Sequence, residues 1–152
     1  MKSAVYLRIA SVLTLVHAVL HTIGGVFGAV PPGPASVAAA AMKSNQFMAL
    51  GMSRNYWEFY RGMGLGVTIF LAVEAVAFWM LASVAKRDAV ALRPVLAVFM
   101  VGYLALAVNS YLYFFLAPVI VETLIAACLG FACIAAGKQV AERQASTTAT
   151  VR

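Results

Sequence analysis

Charged residues are scarce in this sequence, and almost none lie inside its long apolar segments. Only 11% of the 152 residues are Asp, Glu, Lys or Arg, whereas 64% are apolar. A soluble domain carries roughly a quarter charged residues. The apolar residues instead form blocks of about twenty or more, long enough to cross a bilayer. The lack of charge therefore excludes an ordinary soluble domain and predicts a membrane protein.

Cysteine is also scarce, which bears on redox chemistry. Cys128 and Cys133 are the only two, both lie in the last apolar block, and they do not form a CxxC pair. On a helix, side chains at this spacing point in different directions, which disfavours a disulfide. We interpret both as small packing residues rather than a redox pair.

Basic residues exceed acidic ones, 11 to 5, but they are scattered at predicted helix ends rather than gathered in a patch. That distribution indicates membrane topology and not nucleic-acid binding. With four spans, the termini and the loop between helices 2 and 3 share one side, which holds eight of the 11 Lys and Arg residues. We therefore expect both termini in the cytoplasm and a multi-pass protein of the inner (plasma) membrane.

The expected fold is all-α: a four-helix transmembrane bundle, up-down-up-down, forming a single domain over residues 1–137. The four helices are predicted at about residues 6–30, 62–85, 94–115 and 118–137. A cleaved signal peptide is the alternative for the first helix, although its apolar run is about twice the usual length.

The loops of this bundle are also predictable. The prolines of Pro31-Pro32-Gly33-Pro34 end the first helix, since proline lacks an amide donor. The long outer loop, 31–61, is too polar to span and is expected to contain a short interfacial helix. Residues 138–152 are expected to form a polar, disordered cytoplasmic tail.

Polar residues inside the predicted spans are the main functional candidates, because such residues are costly in a bilayer. A helical rise of about 1.5 Å per residue puts one group of them at mid-membrane and another in the outer half. The mid-membrane group comprises His17 and Glu74. The group in the outer half comprises His21, Asn109 and Glu122, with Tyr113 nearby.

Small-residue stripes suggest that these candidates face inward. On the first helix, steps of three and four residues align Ala10, Thr14, His17, His21, Gly24 and Gly28. Similar stripes are Gly102, Ala105, Asn109 and Tyr113, and then Glu122, Ala126, Gly130, Cys133 and Gly137. We predict that they converge on a pocket for a small lipophilic ligand, such as a lipid or a quinone.

An aromatic and charged segment precedes the second helix. Its candidates for the mouth of the pocket are Arg54, Trp57, Glu58 and Arg61. Arg54, Glu58 and Arg61 follow i, i+4, i+7 and would share one face of a helix. The alternative interpretation is an interfacial aromatic belt with an intrahelical ion pair.

Two other interpretations remain open from the residues. The buried polar groups of a non-catalytic accessory or assembly subunit would only fix helix packing. His17 and His21, at i and i+4, could instead chelate a metal ion, although two ligands are not a firm site. No cofactor is firmly indicated, and the residues leave open whether the protein catalyses a reaction. The expected partners are the lipid bilayer and either further copies of this chain or another membrane protein.

Three segments resemble motifs of small bacterial four-helix integral membrane proteins of unassigned function. They are His21-Thr22-Ile23-Gly24-Gly25, Tyr56-Trp57-Glu58-Phe59-Tyr60-Arg61-Gly62 and Tyr113-Phe114-Phe115-Leu116-Ala117-Pro118. The resemblance covers residues 7–137 and implies the fold and the membrane location, but no reaction. A looser likeness to DoxX-like proteins rests on size and topology.

The topology is tested by single-cysteine labelling in a variant without Cys128 and Cys133. One cysteine replaces Ser44, and the other is placed in the 86–93 loop at or next to Ala89. A membrane-impermeant thiol reagent should label them from opposite sides of the membrane. Labelling of both from the same side would contradict the up-down-up-down arrangement.

Overall fold

The computed structural model describes residues 2–150, with side chains described as far as Lys138. Helix α1 continues directly into a π-helical segment, and a hairpin of two short strands precedes α3. The elements are α1 Lys2–Leu20, the π-helix His21–Val26, α2 Pro34–Ser44, β1 Gln46–Ala49, β2 Met52–Asn55, α3 Tyr56–Asp88, α4 Arg93–Tyr113 and α5 Leu116–Thr150.

Four helical segments are long and apolar enough to cross a membrane: Lys2–Val26, Tyr56–Asp88, Arg93–Tyr113 and Leu116–Lys138. In the most apolar 18-residue stretch of each segment, between 22% and 33% of the residues are buried within the protein. The remaining apolar surface suits contact with lipid. The predicted all-α, four-helix transmembrane fold is confirmed, and the chain is a multi-pass membrane protein.

Several helix boundaries differ from those expected. The first span ends at Val26 rather than at residue 30, and α3 begins at Tyr56 rather than at residue 62. Helix α5 continues beyond the expected end at Gly137, to Thr150. The side chains of 139–150 and residues 151–152 lie outside the description, so the disordered tail stays a prediction.

A reciprocal cap explains the early start of α3. The Glu58 amide donates to Asn55 Oδ1 at 2.8 Å, and the Asn55 amide donates to Glu58 Oε2 at 3.1 Å. This capping box satisfies two amides that the first helical turn leaves without partners. The predicted helical alignment of Arg54 with Glu58 and Arg61 is therefore wrong, because Arg54 lies on β2.

The connection at 31–61 contains the expected short helix, α2, but also a β-hairpin that was not predicted. Strands β1 and β2 pair antiparallel, with Ala49 opposite Met52. The two turn residues, Leu50 and Gly51, have φ values of 49° and 83°. Such turns favour Asn-Gly, and leucine rarely adopts positive φ, so the sequence carried no clear signal for this hairpin.

The chain forms two compact units. Unit 1 comprises Met1–His17 and Val73–Arg152, and unit 2 comprises Ala18–Ala72. In unit 1 the fully buried Phe78 ring meets Phe99 edge-on at 5.1 Å and lies 6.1 Å from the ring of Tyr103. Unit 1 also contains many buried alanines, whose small side chains allow close helix packing. They are Ala4, Ala10, Ala75, Ala82, Ala85, Ala89, Ala107, Ala126, Ala132 and Ala136.

In unit 2 the hairpin packs on the start of α3 through aromatic contacts. The Phe47 ring lies 4.8 Å from that of Tyr56 and 5.9 Å from that of Phe59. Aromatic pairs at these distances stabilise a contact beyond the area they bury. The hairpin is therefore attached to the first turns of α3.

Candidate functional site

The polar residues of unit 1 are paired across its helices. The Tyr103 hydroxyl of α4 donates to Glu74 Oε2 of α3 at 2.6 Å, and it lies 3.4 Å from Thr14 Oγ1 of α1. Thr14 donates to the Ala10 carbonyl at 2.9 Å. Three helices therefore meet at the Tyr103 hydroxyl, and Glu74 has Tyr103 as a hydrogen-bonding partner.

A second polar pair joins α4 to α5. Ser110 donates to Glu122 Oε1 at 3.1 Å, and the Glu122 side chain is only 5% exposed. Its other oxygen, Oε2, has no hydrogen-bond partner among the described residues. The inward orientation predicted for Glu122 is confirmed, with Ser110 rather than a histidine as its hydrogen-bond donor.

A third contact joins α1 to α3, where Ser11 donates to the carbonyl of Ala75 at 2.6 Å. Serine and threonine commonly bridge membrane helices in this way. Together the three contacts fix the register of the helices of unit 1.

The predicted inward stripe on α4 is wrong. Its members Gly102, Ala105, Asn109 and Tyr113 are all exposed, whereas the buried residues of α4 are Leu96, Tyr103, Ala107 and Ser110. Asn109 and Tyr113 therefore do not line an interior pocket. The buried face of α4 combines the large Tyr103 ring with the small Ala107 and Ser110, so small residues alone did not identify it.

His21 belongs to unit 2 and is held by a backbone carbonyl. Its Nε2 lies 3.1 Å from the Gly64 carbonyl oxygen, which can only accept, so Nε2 carries the proton. Thr68 donates to the same oxygen at 3.3 Å. A Cβ on Gly64 would lie 3.0 Å from Val26 Cγ2, so glycine permits this close approach of the π-helix to α3.

The two histidines thus have different surroundings. His17 is half-buried in unit 1 and His21 is half-buried in unit 2. Over the part of the chain that the structure describes, no group of three or more His, Cys, Asp or Glu is placed to hold a metal ion.

An open cleft of about 360 Å³ lies in unit 2, at the ends of two membrane spans. Its walls come from the end of the π-helix and the chain after it, from α2 and from the first turns of α3. They comprise Val26, Phe27, Gly28, Val30, Lys43, Trp57 and Arg61.

Two of the four residues predicted for a pocket mouth, Trp57 and Arg61, line this cleft. The other two have different roles: Glu58 caps α3, and Arg54 donates to the carbonyl of Ser53 at 2.9 Å. Trp57 and Arg61 therefore line a cleft other than the interior pocket for which the mouth was predicted, and Arg54 and Glu58 do not line it.

Both cations of the cleft rest on aromatic rings. Lys43 Nζ lies 4.9 Å from the centroid of the Trp57 ring, and Arg61 Cζ lies 4.6 Å from that of Phe27. Among residues 2–138, neither cation forms an ion pair with a carboxylate, and the buried Nε of Arg61 makes no hydrogen bond. A ring attracts a cation without neutralising it, so the cleft wall stays positively charged.

The predicted site residues did not include several residues that form the polar pairs of unit 1 or line the cleft of unit 2. In unit 1 these are the hydrogen-bonding partners Tyr103 and Ser110, and in the cleft they are Lys43, Phe27 and Val30. One signal was present: Tyr103 and Ser110 are seven positions apart in an apolar helix and so share a face.

The role of the Tyr103 hydroxyl is tested by Tyr103→Phe, which removes a donor and leaves the ring. We expect a loss of about 1–2 kcal/mol in the free energy of unfolding, because Glu74 loses a buried partner. Unfolding in one detergent is the measurement, with Tyr111→Phe as the control, since Tyr111 lies on the same helix and is 74% exposed. Equal losses in the two variants would contradict the assigned pairing.

Comparison of the chain with models of known protein families, with curated proteins and with solved structures finds no match. The resemblance to small bacterial four-helix membrane proteins, and the looser one to DoxX-like proteins, therefore stays a prediction. The fold is all-α and the protein spans a membrane several times, and any functional conclusion depends on the geometry of its own residues.

Proposed function

We propose that this protein binds a small lipophilic molecule, such as a lipid or a quinone, and that the cleft of unit 2 is its site. The observation that carries the proposal is the cleft's position and lining. It lies where one membrane span ends at Val26 and another begins at Tyr56. A molecule with an apolar tail and a polar head would find both of its environments there.

The lining of the cleft supports this class of ligand. Val26, Phe27 and Val30 supply apolar surface, and Trp57 supplies an indole of the kind that is enriched at membrane interfaces. The cleft volume of about 360 Å³ is within the range of roughly 300–1,000 Å³ that small-ligand sites occupy.

This site differs from the interior pocket that the sequence predicted. That pocket needed Asn109 to face inward beside Glu122, but Asn109 is exposed and Glu122 is paired with Ser110. Of the predicted residues, the proposal keeps Trp57 and Arg61. His21 then supports the site indirectly, because it fixes the π-helix whose end forms one wall.

A structural role as an accessory or assembly subunit is the second candidate, and the pairing in unit 1 favours it. Tyr103 pairs with Glu74, and Ser110 pairs with one oxygen of Glu122, so these polar groups bond to one another across the helices. On that account these residues only fix helix register, and the cleft would bind nothing specifically.

The proposed location is the inner membrane of a bacterium, with both termini in the cytoplasm. The charge distribution supports this orientation, since three of the 11 Lys and Arg residues lie in the 31–61 connection. The cleft would then open on the outer side of that membrane.

The proposal is tested by filling the cleft. Val30→Trp places an indole on the cleft wall, so it should lower the amount of lipid or quinone that native mass spectrometry finds on the purified protein. Dioctanoylglycerol added to the protein should also form fewer adducts with this variant.

Val37→Trp is the matched control, because Val37 lies on α2 in the same unit, is 70% exposed and does not line the cleft. It should retain the ligand load of the unmodified protein. Equal ligand loads in all three proteins would remove the cleft as the binding site and favour the accessory role.

A further inference from the structure

We infer that the cleft of unit 2 selects an amphiphile with a phosphate monoester head group, held by Lys43 and Arg61. The inference rests on the proposed function and adds the chemistry of the head group. Its basis is a pair of cations that share one cleft and lack carboxylate partners within residues 2–138.

The charge balance of unit 2 favours an anion. Residues 18–72 contain three cations, Lys43, Arg54 and Arg61, and a single acid, Glu58. Both the carboxylate of Glu58 and its amide are used in the cap of α3. The one carboxylate of unit 2 therefore caps α3 and forms no ion pair with Lys43 or Arg61.

The geometry brings the two cations to the same place. Trp57 and Arg61 are one helical turn apart at the start of α3, so both point from the same face. Lys43, in the last turn of α2, lies over the Trp57 ring. The aromatic rings thus position both cations on the cleft wall before any ligand is bound. This lowers the entropy that the two side chains lose on binding.

The buried Nε of Arg61 points to a missing acceptor. A guanidinium has five N–H donors and no acceptor, and leaving a buried one unpaired costs free energy. No described residue accepts from this Nε. An anionic oxygen in the cleft would supply the missing partner by a charge-assisted hydrogen bond.

A phosphate monoester suits this site better than a carboxylate does. It carries a charge of about −1.5 to −2 and three acceptor oxygens, which matches two cations. The apolar residues Val26, Phe27 and Val30 line the same cleft, so the tail of an amphiphile adds contacts that inorganic phosphate cannot make.

The test is a titration of the full-length protein in one detergent, followed by native mass spectrometry. Three probes separate the contributions: dioctanoyl phosphatidic acid, dioctanoylglycerol with the same tails and no phosphate, and inorganic phosphate. We expect phosphatidic acid to bind about tenfold or more tightly than either of the others.

Variants assign the effect to the two cations. Arg61→Gln and Lys43→Gln should each weaken phosphatidic acid binding about tenfold and leave dioctanoylglycerol binding unchanged. Arg61→Lys keeps the charge but lacks the guanidinium donors, so it should retain more affinity than Arg61→Gln and less than the unmodified protein, which separates loss of charge from loss of fold. Arg54→Gln is the matched control, since it removes one charge from the same unit at a side chain outside the cleft.

Each contrary result has a distinct meaning. Equal weakening by Arg54→Gln and Arg61→Gln would show a general charge effect and overturn the assignment of the head-group site. Equal affinity for phosphatidic acid and dioctanoylglycerol would overturn the inference and leave the proposed function intact. Binding of inorganic phosphate alone, or of no probe, would overturn the proposed function as well.

Discussion

A polar group inside an apolar membrane span needs a partner within the protein, and this requirement determines the helix contacts of unit 1. In the bilayer no water is present to replace a missing hydrogen bond. Ser11 therefore donates to a backbone carbonyl, Tyr103 to Glu74 and Ser110 to Glu122. These contacts align the helices, while the many buried alanines bring their backbones close together.

In unit 2, His21 also has a hydrogen-bond partner within the protein, whereas the cations of the cleft have no carboxylate partner among the described residues. The imidazole donates to the Gly64 carbonyl, and the absence of a side chain on Gly64 allows Val26 of the same π-helix to approach α3 closely. In the cleft, by contrast, Lys43 and Arg61 rest on aromatic rings and have no carboxylate partner within residues 2–138. The two cations are thus held by cation–π contacts while their charge stays unneutralised, and this is the feature that the proposed ligand would use.

The sequence predicted those features that long patterns determine. Four apolar blocks were sufficient for the four spans. The stripe predicted on the first helix was correct for Ala10 and Thr14, which are buried, and wrong for Gly24 and Gly28, which are exposed. The bounds of α3 were missed, although Asn55 and Glu58 carry the spacing of a capping box. That signal was hidden because the aromatic residues around it also fit an interfacial loop.

Features that depend on contacts between distant residues could not be predicted in the same way. A span surrounded by lipid is apolar on every side, so the face of α4 that packs inward is not marked by hydrophobicity. The choice then depended on small residues and selected Asn109 instead of Tyr103. The cleft forms because Lys43, Phe27 and Trp57 lie close together although a hairpin and two loops separate them in sequence. No local sequence pattern predicts contacts of this kind.

The central claim is that ligands bind specifically in the cleft of unit 2 and not among the paired residues of unit 1. Photo-crosslinking with a diazirine-tailed phosphatidic acid in vesicles, followed by peptide mapping, measures this most directly. Labelling that excess unmodified phosphatidic acid abolishes should be confined to residues 26–30, 43 and 57–61, whereas labelling by surrounding bilayer lipid should persist. Competable labelling at Ser110 and Glu122, or the absence of any competable labelling, would contradict the account.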